Sequence, residues 1–171
     1  MTLALAALNR IPEADFAAAL GGIFEHSPWI AERAAQRRPF ASLDSLHGAM
    51  VRAMWAATDE EKLALLRAHP ELAGKEADAG TLTAQSSGEQ DSVGLTRLTA
   101  AEKARIKEMN AAYRARHGFP FIIAVRLRTK AQIFAAFEQR IANDRTAEFA
   151  TALNEVGRIA RLRLEALLPA M

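Results

Sequence analysis

Helix start and stop signals recur at short intervals along this chain, and no other feature constrains its fold as much. Thr58 with Glu61 and Thr99 with Glu102 each have capping-box spacing, in which hydroxyl and carboxylate satisfy each other's orphan backbone amide. Ser27-Pro28 reads as an N-cap followed by proline at the first helical position, so a helix from Trp29 should stop before Pro39. Ser42 is placed to cap the next helix, through His47 to Trp55. Pro70 disfavours helical geometry at the residue before it, so the helix after Thr58 ends near His69. A long helix is predicted from Ala100 to Arg116, closed at Gly118, and another from Lys130 to Ala142. Asn143-Asp144 separate that one from a final helix reaching Leu168. Composition agrees: 50% of residues are hydrophobic but only 6% aromatic, and the apolar share is mostly Ala and Leu, both strong helix formers.

Two stretches depart from the helical pattern. Glu71 to Leu98 is rich in Gly, Ser, Thr, Gln and Asp, which predicts a long polar loop with one short helix. Phe119 to Val125 is continuously apolar and β-prone, which predicts a buried extended segment, with a short strand left open by periodicity alone. The expected architecture is all-α, a single compact domain over residues 1–171 with about eight helices.

Charge and cysteine content exclude several function classes. Twenty-two basic residues against 20 acidic ones leave a net charge of +2, with both signs interspersed rather than clustered as a nucleic-acid footprint requires. The absence of cysteine removes disulfides, thiolate catalysis and thiolate-bound metal. No two histidines have the i, i+4 spacing of a zinc helix, so no metal site is expected. Gly-rich phosphate loops and a nucleophile elbow are also missing. The apolar N-terminal stretch to Arg10 lacks a basic n-region and is too short to span a membrane; Leu168 to Met171 is not a peroxisomal tripeptide signal. A cytoplasmic protein is the expectation.

Candidate functional residues are polar groups on the wrong face. In the last helix, Phe149, Leu153, Val156, Ala160 and Leu167 share one arc at about 100° per residue, and Arg163 falls in it while Arg158 and Arg161 do not. A guanidinium there is either paired inside the protein or a clamp for an anionic ligand. Asn110 similarly shares a face with Ile106 and Tyr113. Ser86 and Glu89, three apart, read as a capping box or as part of a ligand site at a helix start. His69 before Pro70 reads as a helix C-terminal residue or as a proton-transfer group.

Several of these features belong to one set of segments. They are Phe24-Glu25-His26-Ser27-Pro28-Trp29, His69-Pro70-Glu71-Leu72, Leu82-Thr83-Ala84-Gln85-Ser86-Ser87-Gly88-Glu89-Gln90, Asn110-Ala111-Ala112-Tyr113, Gly118-Phe119-Pro120-Phe121-Ile122-Ile123, and Asn154-Glu155-Val156 with Ile159, Arg163 and Leu164. In this order and spacing the chain resembles the 2-oxo-4-hydroxy-4-carboxy-5-ureidoimidazoline (OHCU) decarboxylases of urate breakdown. The resemblance implies an all-α homodimer acting on a small molecule, without metal or organic cofactor. It makes His69 and Glu89 catalytic. It gives Ser86, Gln90, Arg163 and Pro70, with the Phe121, Ile122, Ile123, Ala124 and Val125 stretch, to the substrate. Arg116-His117 and Gln85 depart from the family's common residues, which touches surface or outlying detail. The residues by themselves leave open a non-catalytic helical interaction module, in which Arg163 and Glu89 simply pair. A hydrolase acting on hydroxyisourate is disfavoured, because that activity belongs to a β-rich family.

Overall fold

The structure, a computed structural model, describes residues 3–169; Met1, Thr2, Ala170 and Met171 lie outside, and with them part of both terminal readings above. The chain forms α1 (Leu5–Leu8), α2 (Glu13–Leu20), α3 (Trp29–Ala35), α4 (Leu43–Trp55), α5 (Asp59–Ala68), α6 (Lys75–Asp78), α7 (Ala84–Ser92), α8 (Ala100–His117), α9 (Lys130–Ile141) and α10 (Arg145–Leu167), plus a 3-10 turn at Val125–Leu127. No strand occurs among the described residues, as the all-α expectation requires. No described helix is long and apolar enough to cross a membrane.

The predicted caps mostly hold. Thr58 N–H donates to Glu61 at 2.9 Å while Glu61 N–H donates to Thr58 Oγ1 at 3.1 Å. Thr99 and Glu102 reciprocate at 3.1 Å each, and α8 closes on Gly118 at a left-handed φ of 78° that glycine adopts without cost. Ser42 caps α4 in a reciprocal pair with Ser45. A further capping box, Thr129 with Gln132, starts α9. Ser27 behaves otherwise: its hydroxyl donates to the Glu25 carbonyl at 3.0 Å, and α3 begins without a side-chain cap.

The expected polar loop is more ordered than its composition suggests. It contains two helices, α6 and the nine-residue α7. Thr83 Oγ1 accepts from Ser86 N–H at 3.2 Å, so the N-cap lies three residues before Ser86, and Ser86 is an interior helical residue rather than the cap. Phe119 to Ala124 matches expectation: buried and without regular secondary structure.

The chain groups into two compact units, one comprising Met1–Ala68 with Gly157–Met171, the other His69–Val156. In the first, α2 packs on α3 and α3 on α4, around Phe16, Leu20, Ile30, Leu46, Met50 and Met54. Arg33 bridges α3 to α5 through Glu61 at 2.5 Å and lies over the Trp29 ring at 4.4 Å. In the second, α8 packs on α9 around an aromatic cluster. Phe121 stacks on Phe137 with centroids 3.9 Å apart, and Tyr113 meets Phe119, Phe121 and Phe137 edge-on. His117, fully buried, sits against Tyr113 at 4.5 Å, so this departure from the family pattern is a core residue.

Candidate active site

His69 follows the last residue of α5 and is 6% exposed, with Nε2 sealed from solvent. Pro70 ends the helix behind it, and the chain turns sharply, reaching a positive φ of 46° at Ala73. A non-glycine residue in that region persists only where its surroundings over-determine it. Two carboxamides do so here. Gln90 Oε1 accepts from Ala73 N–H at 2.9 Å and its Nε2 donates to Glu71 C=O at 3.4 Å. Asn110 Nδ2 donates to Leu72 C=O at 3.0 Å, and Glu71 pairs with Arg114 at 2.9 Å.

Gln90 thereby ties the His69 turn to α7, which also carries Ser86 and Glu89. Ser86 and Gln90 are buried, four residues apart on one face, while Glu89 is half-buried beside them. Helix α7 packs in turn on the 3-10 turn that follows Phe121 to Ala124; a Cβ on Gly88 would lie 3.6 Å from the Arg126 guanidinium. The unit His69–Val156 therefore assembles three of the expected parts: the His69-Pro70 turn, the Ser86–Gln90 face, and the Phe121–Val125 segment.

That segment has no ladder partner, so side chains hold it. Arg140 Nη1 donates to Ile122 C=O at 2.8 Å, and Ala124 N–H donates to Glu155 Oε2 at 2.9 Å. Between them, Ile123 is 4% exposed, and its N–H and C=O form no hydrogen bond within the described residues. Buried backbone groups are costly to leave so, and such a pair is a natural recognition edge for a planar amide ligand.

Arg163 belongs to the other unit and is buried, as its helical arc predicted. Its Nη1 donates to Glu25 at 2.9 Å and to the carbonyls of Gly22 and Ile23 at 3.3 and 3.5 Å. The internal pair foreseen for this guanidinium thus exists, with Glu25 as partner. Sequence reasoning missed three buried charges of the second unit. Arg140 is seven residues after Ile133 and three after Phe137, on the apolar arc of α9; Glu148 and Glu155 share an arc of α10 with Ala152 and Ile159. The arithmetic that singled out Arg163 would have found all three. Among the described residues, no group of three or more His, Cys, Asp or Glu side chains is placed to hold a metal ion.

The fold and this arrangement define a helical protein with a buried histidine turn set among carboxamides, a hydroxyl and a carboxylate. Comparison sharpens the class. The OHCU decarboxylase family model matches residues 9–165, and the chain belongs to that family. It is 44% identical over 162 residues to the 2-oxo-4-hydroxy-4-carboxy-5-ureidoimidazoline decarboxylase of Haloferax volcanii, covering 95% of this chain and 94% of the relative. Among solved structures it is similar to an (S)-allantoin synthase, with TM-score 0.78 and 33% identity over 97% of this chain; the chain spans about half of that protein, 54%. An OHCU decarboxylase solved in the presence of (S)-allantoin shares the fold, with TM-score 0.66 at 20% identity over 83% of this chain and 92% of that one.

Proposed function

We propose that this chain decarboxylates OHCU to (S)-allantoin in urate degradation, as one decarboxylase domain. Family membership supports the reaction class; within the structure, one observation carries the assignment of the site. His69 is buried in an over-determined turn in the same unit as the Ser86–Gln90 face and the Ile123 backbone edge. Proton transfer needs a fixed imidazole, and a flat, polar heterocycle needs a preorganised edge of donors and acceptors.

The chemistry then divides among these groups. The C–C bond to the carboxylate breaks, carbon dioxide leaves, and the electron pair moves into the adjacent imine of the substrate. The imine nitrogen takes up a proton, which leaves an enol; a second proton is then delivered to one face of the enol carbon as the hydroxyl proton departs and the carbonyl forms, which sets the configuration of the product. His69 handles a proton, since imidazole titrates near neutral pH. Glu89 orients His69 or carries the second proton. Ser86 supplies a hydrogen bond, and Gln90, besides clamping the turn, has a second Nε2 hydrogen to offer. The same reading gives Arg163 to the substrate, as a planar fork held by Glu25 and two carbonyls. Pro70 and the apolar Phe121 to Val125 wall exclude water, and a poorly solvated carboxylate loses carbon dioxide more readily. A homodimeric, cytoplasmic enzyme is part of the same proposal, and light scattering of the purified protein reads the first of these.

Freshly generated OHCU is the test substrate, with its ultraviolet decay and the optical sign of the allantoin both followed, because the compound also decays spontaneously to racemate. The wild-type chain speeds the decay and yields one enantiomer. His69→Ala lowers kcat by about 10²–10⁴-fold, the usual contribution of a positioned acid or base, and returns the product to racemate. Near-normal rate and chirality in that variant would remove His69 from the mechanism.

A further inference from the structure

Arg140, Glu148 and Glu155 are buried charges that the chemistry above does not use. Arg140 is 7% exposed, Glu148 0% and Glu155 5%. Both oxygens of Glu148 accept from Arg140 Nε, at 3.0 and 3.2 Å; Glu148 also accepts from the Tyr113 hydroxyl and, at 3.0 Å, from Asn143 Nδ2. The guanidinium so held lies 4.4 Å over the Phe121 ring and donates to Ile122 C=O. Glu155, which pairs with Arg128 at 3.5 Å, accepts from Ala124 N–H.

These contacts flank Ile123 on both sides, in a segment without regular secondary structure. The Ile122 C=O and the Ile123 N–H belong to one planar trans peptide and point in opposite directions across it, as do the Ile123 C=O and the Ala124 N–H. Pinning Ile122 C=O and Ala124 N–H therefore sets the directions of the Ile123 N–H and C=O. A buried ion pair adds little net stability over an apolar pair of the same shape, so core packing alone is a poor reason for two carboxylates and a guanidinium here.

We propose that Arg140, with Glu148 behind it, and Glu155 are positioning residues for the decarboxylation, fixing the backbone edge at Ile123 against which the substrate ring is registered. The inference rests on the reading of Phe121 to Val125 as the substrate wall. Loosening either pin lets that edge rotate, so the ring binds less tightly and is protonated on both faces.

The test compares Arg140→Lys, Glu155→Ala and Glu155→Gln, with folding checked by near-ultraviolet circular dichroism. Arg140→Lys keeps the charge beside Glu148 but loses the fork that reaches carboxylate and carbonyl together. Glu155→Ala removes the acceptor for Ala124 N–H, and Glu155→Gln restores a carboxamide oxygen. In Arg140→Lys and Glu155→Ala, KM is expected to rise at least about tenfold, near 1.4 kcal/mol of binding, and the enantiomeric excess of allantoin to fall. Glu155→Gln should bring both most of the way back. Folded Arg140→Lys or Glu155→Ala protein with wild-type KM and enantiomeric excess, whatever its melting temperature, overturns the proposal. Should Arg140→Lys fail to fold, the Glu155 pair decides. Inactive wild type would instead defeat the decarboxylase reading; active wild type with inactive His69→Ala and unchanged positioning variants defeats this inference alone.

Discussion

The two units each bury an arginine–glutamate pair, and the pairs differ in which guanidinium nitrogen meets the carboxylate. Arg163 Nη1 donates to Glu25 Oε2 and to the carbonyls of Gly22 and Ile23. Arg140 and Glu148 meet through Nε and both carboxylate oxygens, and Glu148 takes two further donors from Tyr113 and Asn143. Each guanidinium fastens irregular backbone, at residues 22–23 or at Ile122. A buried cation can therefore stand in for a missing hydrogen-bond ladder.

Removing each arginine tests that contrast, and the largest stability loss is expected at Arg140. Arg140→Met leaves Glu148 wholly buried and uncompensated, at a cost of about 3–5 kcal/mol, read by denaturant unfolding. Arg163→Met is expected to raise KM for OHCU more than it lowers kcat. An unchanged KM for Arg163→Met would make the Arg163–Glu25 pair purely structural. Tyr113→Phe comes next, at about 1–3 kcal/mol, since it removes a buried donor from Glu148.

Tyr113 also offers a spectroscopic check, because it is the chain's only tyrosine. Burial, then the hydrogen bond to Glu148, hold its hydroxyl above the ordinary phenolic range. A folded-state pKa above the unfolded one contributes stability that is complete below pH ~10 and is lost as pH rises beyond it. Absorbance near 295 nm should show no ionisation at pH ~10–11 until the protein unfolds; a reversible titration there in folded protein would place Tyr113 outside the closed network.

The smallest effect is expected at the exposed pair in the first unit. The hydrogen bond from Arg33, followed by that from the Thr58 amide, lowers the Glu61 carboxyl to about 2. A depressed folded-state pKa contributes stability that is present above the unfolded carboxylate range and is lost as pH falls towards about 2. Glu61→Gln should therefore melt slightly lower than wild type at neutral pH, with the gap closing in acid. A gap that persists undiminished in acid would show that the ionised pair contributes nothing.

With Ser27 and the Ser86–Glu89 pair as the exceptions, local rules read correctly at the sites where both partners lie within one helical turn. Thr58 with Glu61 and Thr99 with Glu102 are of that kind, and so is Gly118 as a stop. The same locality misplaced the start of α7, read at Ser86 where the cap is Thr83. Its Ser, Asp and Gly residues are poor helix formers, with Gly88 in its middle, and it is ordered by the Thr83 cap, by Gln90 reaching back 17 residues to Ala73, and by packing on the 3-10 turn. Arg163 was legible because helical periodicity alone puts it on an apolar arc. Its partner was not, for Glu25 lies 138 residues away in sequence.

The sequence by itself determined that this chain is helical, where most of its helices begin and end, and which arginine of α10 must be buried. These follow from the intrinsic geometry of the backbone and from contacts three or four residues apart. Only the tertiary structure decided that Gln90 and Asn110 brace the His69 turn, that Arg163 pairs with Glu25, and that Arg140 and Glu155 hold the backbone around Ile123. A buried polar group must find a partner, but which one depends on segments brought together by packing, and no periodicity along the chain encodes that choice.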